Sequence, residues 1–140
     1  MAQRPVELIL ARQLASYLAV PVLLVDANGD TLFFNEPAEP IFARRFDEIE
    51  ALGFDQRTMV LAPRRADGEP FPVEELPGMI AMRDRRPAHA ALHIHGFDGV
   101  LRPVEATAVP LESAAGRVLG ALVVLWFSPG ASSAPPPTEQ

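Results

Sequence analysis

The chain contains no cysteine and no lysine, and these two absences exclude several classes of chemistry. Without cysteine there is no disulfide, no thiolate nucleophile, no cysteine-ligated zinc and no flavin–cysteinyl photochemistry. Without lysine there is neither a Schiff base nor the lysine of a Walker-type phosphate loop. All 12 basic residues are arginines, and the 18 acidic residues bring the formal net charge to −6. Because no basic stripe exceeds Arg83, Arg85 and Arg86, we expect no nucleic-acid partner.

The chain also lacks a long apolar run. Its longest, Val118–Phe127, has about half the ~20 residues that a membrane helix needs. Glu7 and Arg12 interrupt the N-terminal segment, which therefore has no signal-peptide core. We expect a cytoplasmic protein without a membrane segment, and 140 residues suffice for one domain with its own hydrophobic core.

The clearest local pattern lies at residues 21–35, which read PVLLVDANGDTLFFN. Two short apolar runs flank Asn28-Gly29, a pair that tolerates the positive φ of a tight turn and predicts a β-hairpin. Asp26 and Asp30 are interpreted as turn formers. Three more strands are predicted towards the C-terminus, at residues 88–94, 101–111 and 118–127.

Helices are predicted before and between these strands. Apolar residues at spacings of three and four indicate an amphipathic helix at residues 7–18, and Pro37 and Pro77 are each placed to open a short helix. Another short helix is expected at residues 44–52, and Asp67-Gly68 is expected to form a turn. The predicted organisation is a helical cap at residues 1–20, a domain at residues 21–128 and a disordered Pro/Ser/Ala tail at residues 129–140.

The strand at residues 88–94 has two different faces, with alanine, leucine and isoleucine on one side and histidine on the other. The short connection at residues 96–100 would place Leu92 opposite Val104 and Ala90 opposite Ala106. This wall has small side chains. It either leaves room for a ligand or admits large side chains from the helices, and close packing makes the second the default.

The last strand, VLGALVVLWF, is apolar at both parities, so we expect both of its faces to be covered. One face meets the core. The other is covered either by the N-terminal helix or by the same face of a second subunit, which would make an isologous homodimer. The predicted interface consists of Leu8, Leu14, Leu18, Val123 and Leu125.

The order of these elements and three phrases of the sequence resemble the PAS domain family. VPVLLVDANGDTLFFNEPA is similar to the opening hairpin of the family and the asparagine that follows it, here Asn35. ADGEPFPVEELPGMIAMRDRRP is similar to the loop and helix of many bacterial members, and EATAVPLESAAGRVLGALVVL to their two closing strands. The resemblance covers residues 14–127, most of the chain. It implies an α+β fold with a five-stranded antiparallel sheet in the order 2-1-5-4-3 and short helices on one face. It also implies a sensor or interaction module in signal transduction.

Many PAS domains continue from the last strand through an Asp-x-Thr junction into a signalling helix. Here Phe127 is followed by Ser128-Pro129-Gly130 and the tail. We therefore expect a stand-alone module that acts as a homodimer or through a signalling protein such as a sensor kinase or regulator.

The predicted function is to sense a small apolar or amphipathic molecule held between the helices and the sheet. The alternative is a fully packed interaction domain that has no ligand. A small enzyme is disfavoured because no nucleophile–base pair or acid–base dyad is evident, so no catalytic residue is predicted. The predicted pocket residues are Phe34, Met79, Ile80, Leu92, Ile94, Val104, Ala106 and Leu122.

We predict no metal site. His93 and His95 lie two apart on one strand face and are weak candidates for metal ligands, but half-exposed strand residues explain them better. We also expect no cofactor, while the sequence leaves haem and a noncovalent flavin open. In the PAS domains that bind haem, an axial histidine usually comes from the helix before the third strand, and the resemblance places the helix that opens at Pro77 there. This helix has no histidine, so either Met79 or Met82 would have to ligate the iron, or the strand register would have to differ from the predicted one.

Overall fold

A computed structural model describes residues 6–49 and 63–127. The predicted tail at residues 129–140, the start of the predicted cap and residues 50–52 of the predicted second helix lie outside this part. Among the described residues, no helix is long and apolar enough to cross a membrane.

The elements follow the predicted order. Helix α1, Val6–Tyr17, precedes strands β1, Val22–Asp26, and β2, Thr31–Phe34. A 3-10 turn at Glu36–Ala38, helix α2, Glu39–Phe42, and helix α3, Phe46–Ile49, follow the hairpin. A second 3-10 turn at Val73–Glu75 leads into helix α4, Pro77–Asp84. The chain then forms strands β3, Ala88–His95, β4, Leu101–Glu112, and β5, Val118–Phe127.

The predicted β1–β2 turn is confirmed in detail. The carboxylate of Asp26 accepts hydrogen bonds from the backbone N–H groups of Asn28, at 2.9 Å, and Asp30, at 3.0 Å. Gly29 has a φ of 87°, which a residue without Cβ adopts at little cost. The predicted corner at Asp67-Gly68 is confirmed in the same way, because the Asp67 carboxylate accepts from the backbone N–H of Glu69 at 3.0 Å.

The five strands form one antiparallel sheet in the order β2-β1-β5-β4-β3, as predicted. Leu92 lies opposite Val104 and Ala90 opposite Ala106, which confirms the predicted β3–β4 register. Side chains of α2 and α4 share the main core cluster with one sheet face, whereas Leu8 of α1 packs against the other face. The sheet therefore has a short-helix layer on one side and α1 on the other.

A β-bulge interrupts the pairing of β4 with β5. Glu112 pairs with Val118, but its neighbour Leu111 pairs with Gly120, so Leu119 is an extra residue on β5. The bulge turns Leu119 away from the main core and towards Leu8 of α1.

The bulge changes which residues of β5 face the core. Beyond it, Ala108 lies opposite Val123 and Ala106 opposite Leu125, and cross-strand partners share a sheet face. In a ladder without the bulge, Ala108 would lie opposite Leu122 instead. One extra residue therefore reverses the facing of the rest of the strand.

Candidate functional site

An apolar cavity of about 170 Å³ lies between the sheet and the short-helix layer. Val104 and Ala106 are among its most buried lining residues, at 0% and 3% exposed. Gly29 and Thr31 contribute from the hairpin. The remaining described lining residues are Leu23, Val25, Leu92, Ile94, Val123 and Leu125 from the sheet, and Phe42, Pro63, Leu76, Pro77, Gly78 and Met79 from the opposite side.

The alanine-rich wall serves both of the roles considered above. Ala106 lines the cavity, so a small side chain leaves space at this position. Ala108, two residues along the same strand, is fully buried and shares a core cluster with Ala81 of α4. The small side chains therefore leave a cavity at Ala106 and admit α4 at Ala108.

Five of the eight predicted pocket residues line the cavity: Met79, Leu92, Ile94, Val104 and Ala106. Phe34 is instead in the aromatic core behind Phe42, with 4.6 Å between the two ring centroids. Ile80 follows Met79 on α4 and is not a lining residue, since successive helical residues point in different directions. Binding of a ligand by the five residues stays a prediction.

The structure reverses the two predicted faces of β5. Leu122, predicted for the pocket, lies on the opposite sheet face beside the Leu8 cluster. Val123 and Leu125, predicted for a subunit interface, are buried and line the cavity. Both assignments are wrong for one physical reason: the bulge at Leu119 shifts the register by one residue.

Sequence reasoning also missed cavity residues on β1 and α2. Leu23 and Val25 lie two apart on β1 and line the cavity, while Leu24 between them packs against α1. The two-residue spacing of Leu23 and Val25, typical of one face of a strand, was the indication in the sequence. Phe42 carried no such pattern, because α2 is a single turn whose orientation depends on its packing.

Helix α1 is the cover of the outer sheet face, the first of the two alternatives. Leu8 is 5% exposed and packs with Leu24, Leu32 and Leu119. The guanidinium of Arg12 lies 4.7 Å from the ring centroid of Phe33, which adds a cation–π contact between the helix and β2. Leu8, predicted for an interface between subunits, is therefore buried within this chain.

Asn35 fastens the end of α1 to the sheet. Its side chain is buried, and its Nδ2 donates to the carbonyl oxygens of Ala15, at 2.9 Å, and Val20, at 2.8 Å. Its Oδ1 accepts from the backbone N–H of Val22 at 2.9 Å. One side chain thus satisfies backbone groups of the helix end, the connection and β1.

The outward side of α1 is apolar as well. Leu14, predicted for an interface, is 56% exposed, and the half-buried Leu18 follows the end of the helix. Four further apolar residues recur on this side at spacings of three and four, which was a readable indication in the sequence. We call these five residues the α1 outer stripe: Val6, Ile9, Leu10, Leu14 and Tyr17, each more than half exposed.

The three histidines lie on the other face from the cavity. His89 Nε2 is 2.9 Å from Glu105 Oε1, and its Nδ1 is 2.8 Å from Thr107 Oγ1. His93 is held through its backbone, which exchanges hydrogen bonds with Arg64, and its buried Nδ1 has no protein partner among the described residues. No group of three His, Cys, Asp or Glu side chains in the described residues is arranged to hold a metal ion. His93 and His95 therefore have no third metal-ligating side chain beside them among these residues.

The β3–β4 hairpin is attached to the cavity wall. The backbone N–H of Phe97 donates to the carbonyl of Phe42 at 2.7 Å. Asp98 receives two hydrogen bonds from Arg102, at 3.0 and 2.8 Å. The hydrogen bonds from Arg102 and from the backbone of Val100 hold the pKa of the Asp98 carboxyl well below its ordinary value.

The described lining does not fit haem or a flavin. It contains no histidine, asparagine or glutamine side chain to ligate iron or to hydrogen-bond an isoalloxazine ring, and Thr31 supplies its only polar side chain. Of the two methionines considered as iron ligands, Met79 lines the cavity and Met82 does not, so haem is disfavoured by the volume and by the absence of histidine from the described lining. A volume of about 170 Å³ is also well below the roughly 300–1,000 Å³ of pockets that hold larger ligands.

No family model matches the chain, and no curated protein matches it. Solved structures do resemble it. The PAS domain of a protein from Colwellia psychrerythraea has a TM-score of 0.61 and 15% identity, over 86% of this chain and 96% of that one. A PAS domain from a two-component sensor histidine kinase has a TM-score of 0.58 and 12% identity, over 88% and 97%. The LOV protein of Rhodobacter sphaeroides has a TM-score of 0.59 and 17% identity, over 91% and 68%. The chain has the PAS fold.

Proposed function

We propose that this chain is a sensor module in signal transduction, in which a small molecule in the cavity alters self-association through the α1 outer stripe. The PAS fold supports this proposal, because a domain of the same fold belongs to a two-component sensor histidine kinase. The cavity is the observation that carries it.

An empty apolar cavity is costly for a domain of this size. Side chains that face unfilled space lose the contacts that close packing would give them, and the described lining is almost entirely apolar. A bound apolar molecule would restore such contacts, which supports a ligand over the alternative of a fully packed interaction domain.

Strands β1 and β5 connect the cavity to α1. On β5, Val123 lines the cavity and the adjacent Leu122 belongs to the cluster beneath α1. On β1, Leu23 lines the cavity and the adjacent Leu24 belongs to the cluster beneath α1. A ligand that displaces either strand therefore also moves the surface on which α1 lies.

The α1 outer stripe is the proposed surface for self-association, and a second copy of this chain is the proposed occupant. Its five apolar residues are 54–78% exposed, and exposed apolar patches mark interaction sites. None of the five carries a charge, so the stripe offers no electrostatic complement to a charged partner. Residues 128–140 contain no large apolar side chain, which argues against the chain's own C-terminal segment as the occupant.

Sedimentation velocity tests the self-association. We expect a wild-type dimer, a monomeric Leu14→Glu variant, and a dimeric Leu101→Glu control, since Leu101 is 42% exposed at the far end of β4. A monomeric wild-type protein would exclude the homodimer, and a signalling partner would then become the candidate for the stripe.

Coupling between the cavity and the stripe can be tested without a ligand. Ala106→Leu places three additional carbons in the cavity and should change the dimerisation constant by about fivefold or more. Ala91→Leu is the matched control, because Ala91 is exposed on β3. An equal dimerisation constant for wild type and Ala106→Leu would show that the two sites are independent.

We propose that the module has no catalytic activity. The chain Thr107–His89–Glu105 has the hydrogen bonds of a nucleophile, a base and an orienting carboxylate. However, Thr107 lies in mid-strand on β4, which is paired on both sides, so its neighbouring backbone N–H groups are engaged in the sheet instead of forming an oxyanion hole. We expect p-nitrophenyl acetate hydrolysis by wild type and Thr107→Val to be equal.

The cytoplasmic location stays a prediction, for which cell fractionation is the test.

A further inference from the structure

We propose that the cavity selects uncharged, single-ring apolar molecules of about the size of benzene. The inference rests on the proposed sensor function and adds the chemical class of the ligand. It follows from three properties of the described lining: its volume, its polarity and two small residues on opposite sides of it.

Volume limits the ligand to one ring. An enclosed apolar cavity of ~150 Å³ is sufficient for benzene and stays dry without it. The cavity here has a similar volume of about 170 Å³ but is partly open. A fused two-ring molecule would have to displace buried lining side chains such as Val104 and Ala106, or leave part of its apolar surface outside the cavity.

Polarity excludes a charged ligand. No described lining residue is ionisable, and Thr31, the only polar one, already has an interaction within the protein. A carboxylate or ammonium group would therefore lose its hydration without gaining an ionic partner, which costs several kcal/mol or more in an apolar site. An uncharged ligand loses no such hydration.

Gly78 on α4 and Ala106 on β4 are small residues on opposite sides of the cavity. A Cβ at Gly78 would come within 3.7 Å of Val123 Cγ2 and 3.8 Å of Val25 Cγ2, which are ordinary contacts between wall residues. Larger side chains at either position would occupy the volume assigned to the ligand. Gly78→Ala reduces the cavity slightly, and Ala106→Leu reduces it substantially.

Methyl NMR of the full chain provides the test, with benzene, benzoate and naphthalene as probes. Benzene should produce saturable shifts of the Met79 methyl group, which lines the cavity, and smaller shifts of Met82, which is buried outside it. Benzoate and naphthalene should bind at least about tenfold more weakly. Tighter binding of naphthalene or benzoate than of benzene would overturn the proposed class while leaving a ligand sensor intact.

The variants separate this inference from the sensor proposal. Ala106→Leu should weaken benzene binding at least about tenfold, Gly78→Ala should weaken it less, and exposed Ala91→Leu should leave it unchanged. If Ala106→Leu misfolds, Gly78→Ala still tests the inference because its added methyl group fits without a clash. If none of the three probes shifts Met79, the ligand class is overturned and so is apolar ligand sensing. The sedimentation result for Leu14→Glu then decides whether an interaction module remains.

Discussion

Ala106 lies opposite Leu125 across the β4–β5 ladder, and both side chains line the cavity. The β-bulge at Leu119 creates this pairing, since a regular hairpin would have placed Ala106 opposite Val124. The same bulge leaves Leu122 beneath α1. One face of β5 thus lines the cavity, and the other packs against α1.

Arginine substitutions on the two faces of β5 should destabilise the protein to very different extents. Val123→Arg would bury a guanidinium in the apolar cavity and should lower the free energy of unfolding by about 4 kcal/mol or more. Val124→Arg, on the partly exposed face, should cost about 1 kcal/mol or less. Urea denaturation followed by circular dichroism measures both. Similar losses for the two variants would contradict the observed register.

Gly120 should tolerate no side chain. A Cβ there would collide with the backbone carbonyl oxygen of Val25 on the adjacent strand, which cannot move aside as a side chain can. We expect Gly120→Ala to lower the free energy of unfolding by about 3 kcal/mol or more. Gly78→Ala is the control, because the added Cβ meets only ordinary contacts. The melting temperature should therefore fall for Gly120→Ala and change little for Gly78→Ala.

Removal of the Asn35 side-chain amide should release α1 from the sheet. Asn35→Ala leaves the buried N–H of Val22 and the carbonyl of Ala15 without this partner, and should lower the free energy of unfolding by about 2–4 kcal/mol. Hydrogen exchange should show the largest loss of protection in α1. An unchanged exchange rate in α1 would mean that Leu8 and Arg12 suffice to hold the helix.

The Asp98–Arg102 pair should stabilise the β3–β4 hairpin except at strongly acid pH. Hydrogen bonds from Arg102 and Val100 lower the pKa of Asp98, so its stabilising effect is fully present above about pH 4, the ordinary carboxyl value. It is lost as the pH falls through the lowered pKa. Wild type should therefore exceed Asp98→Asn in stability at pH 7, and the difference should shrink at pH 2. If the urea midpoints of wild type and Asp98→Asn differed by the same amount at pH 7 and pH 2, ionisation of the Asp98 carboxyl would not be the source of the stabilisation.

Several elements could be predicted because their determinants are local. Asn28-Gly29 requires only its own backbone and the Asp26 carboxylate to form the turn, and α4 begins at Pro77 as expected. The β3–β4 register follows from a regular hairpin between two alternating strands, so Ala106 was correctly assigned to the inner face. The apolar spacing of the α1 outer stripe is also visible in the sequence, but α1 is apolar on two sides and only packing decides which side is covered.

The order of elements, both turns and the inner face of β3 and β4 could be predicted from the residues, since propensity, periodicity and turn chemistry act over a few residues; the strand order of the sheet was implied by the resemblance to PAS domains. The facing of β5, the cover of its outer side and the presence of the cavity depend on tertiary contacts. The facing depends on one bulged residue, Leu119, which leaves the apolar pattern of the strand unchanged. The cavity depends on how far α4 and Phe42 approach Ala106, which is a balance of packing among residues distant in the chain.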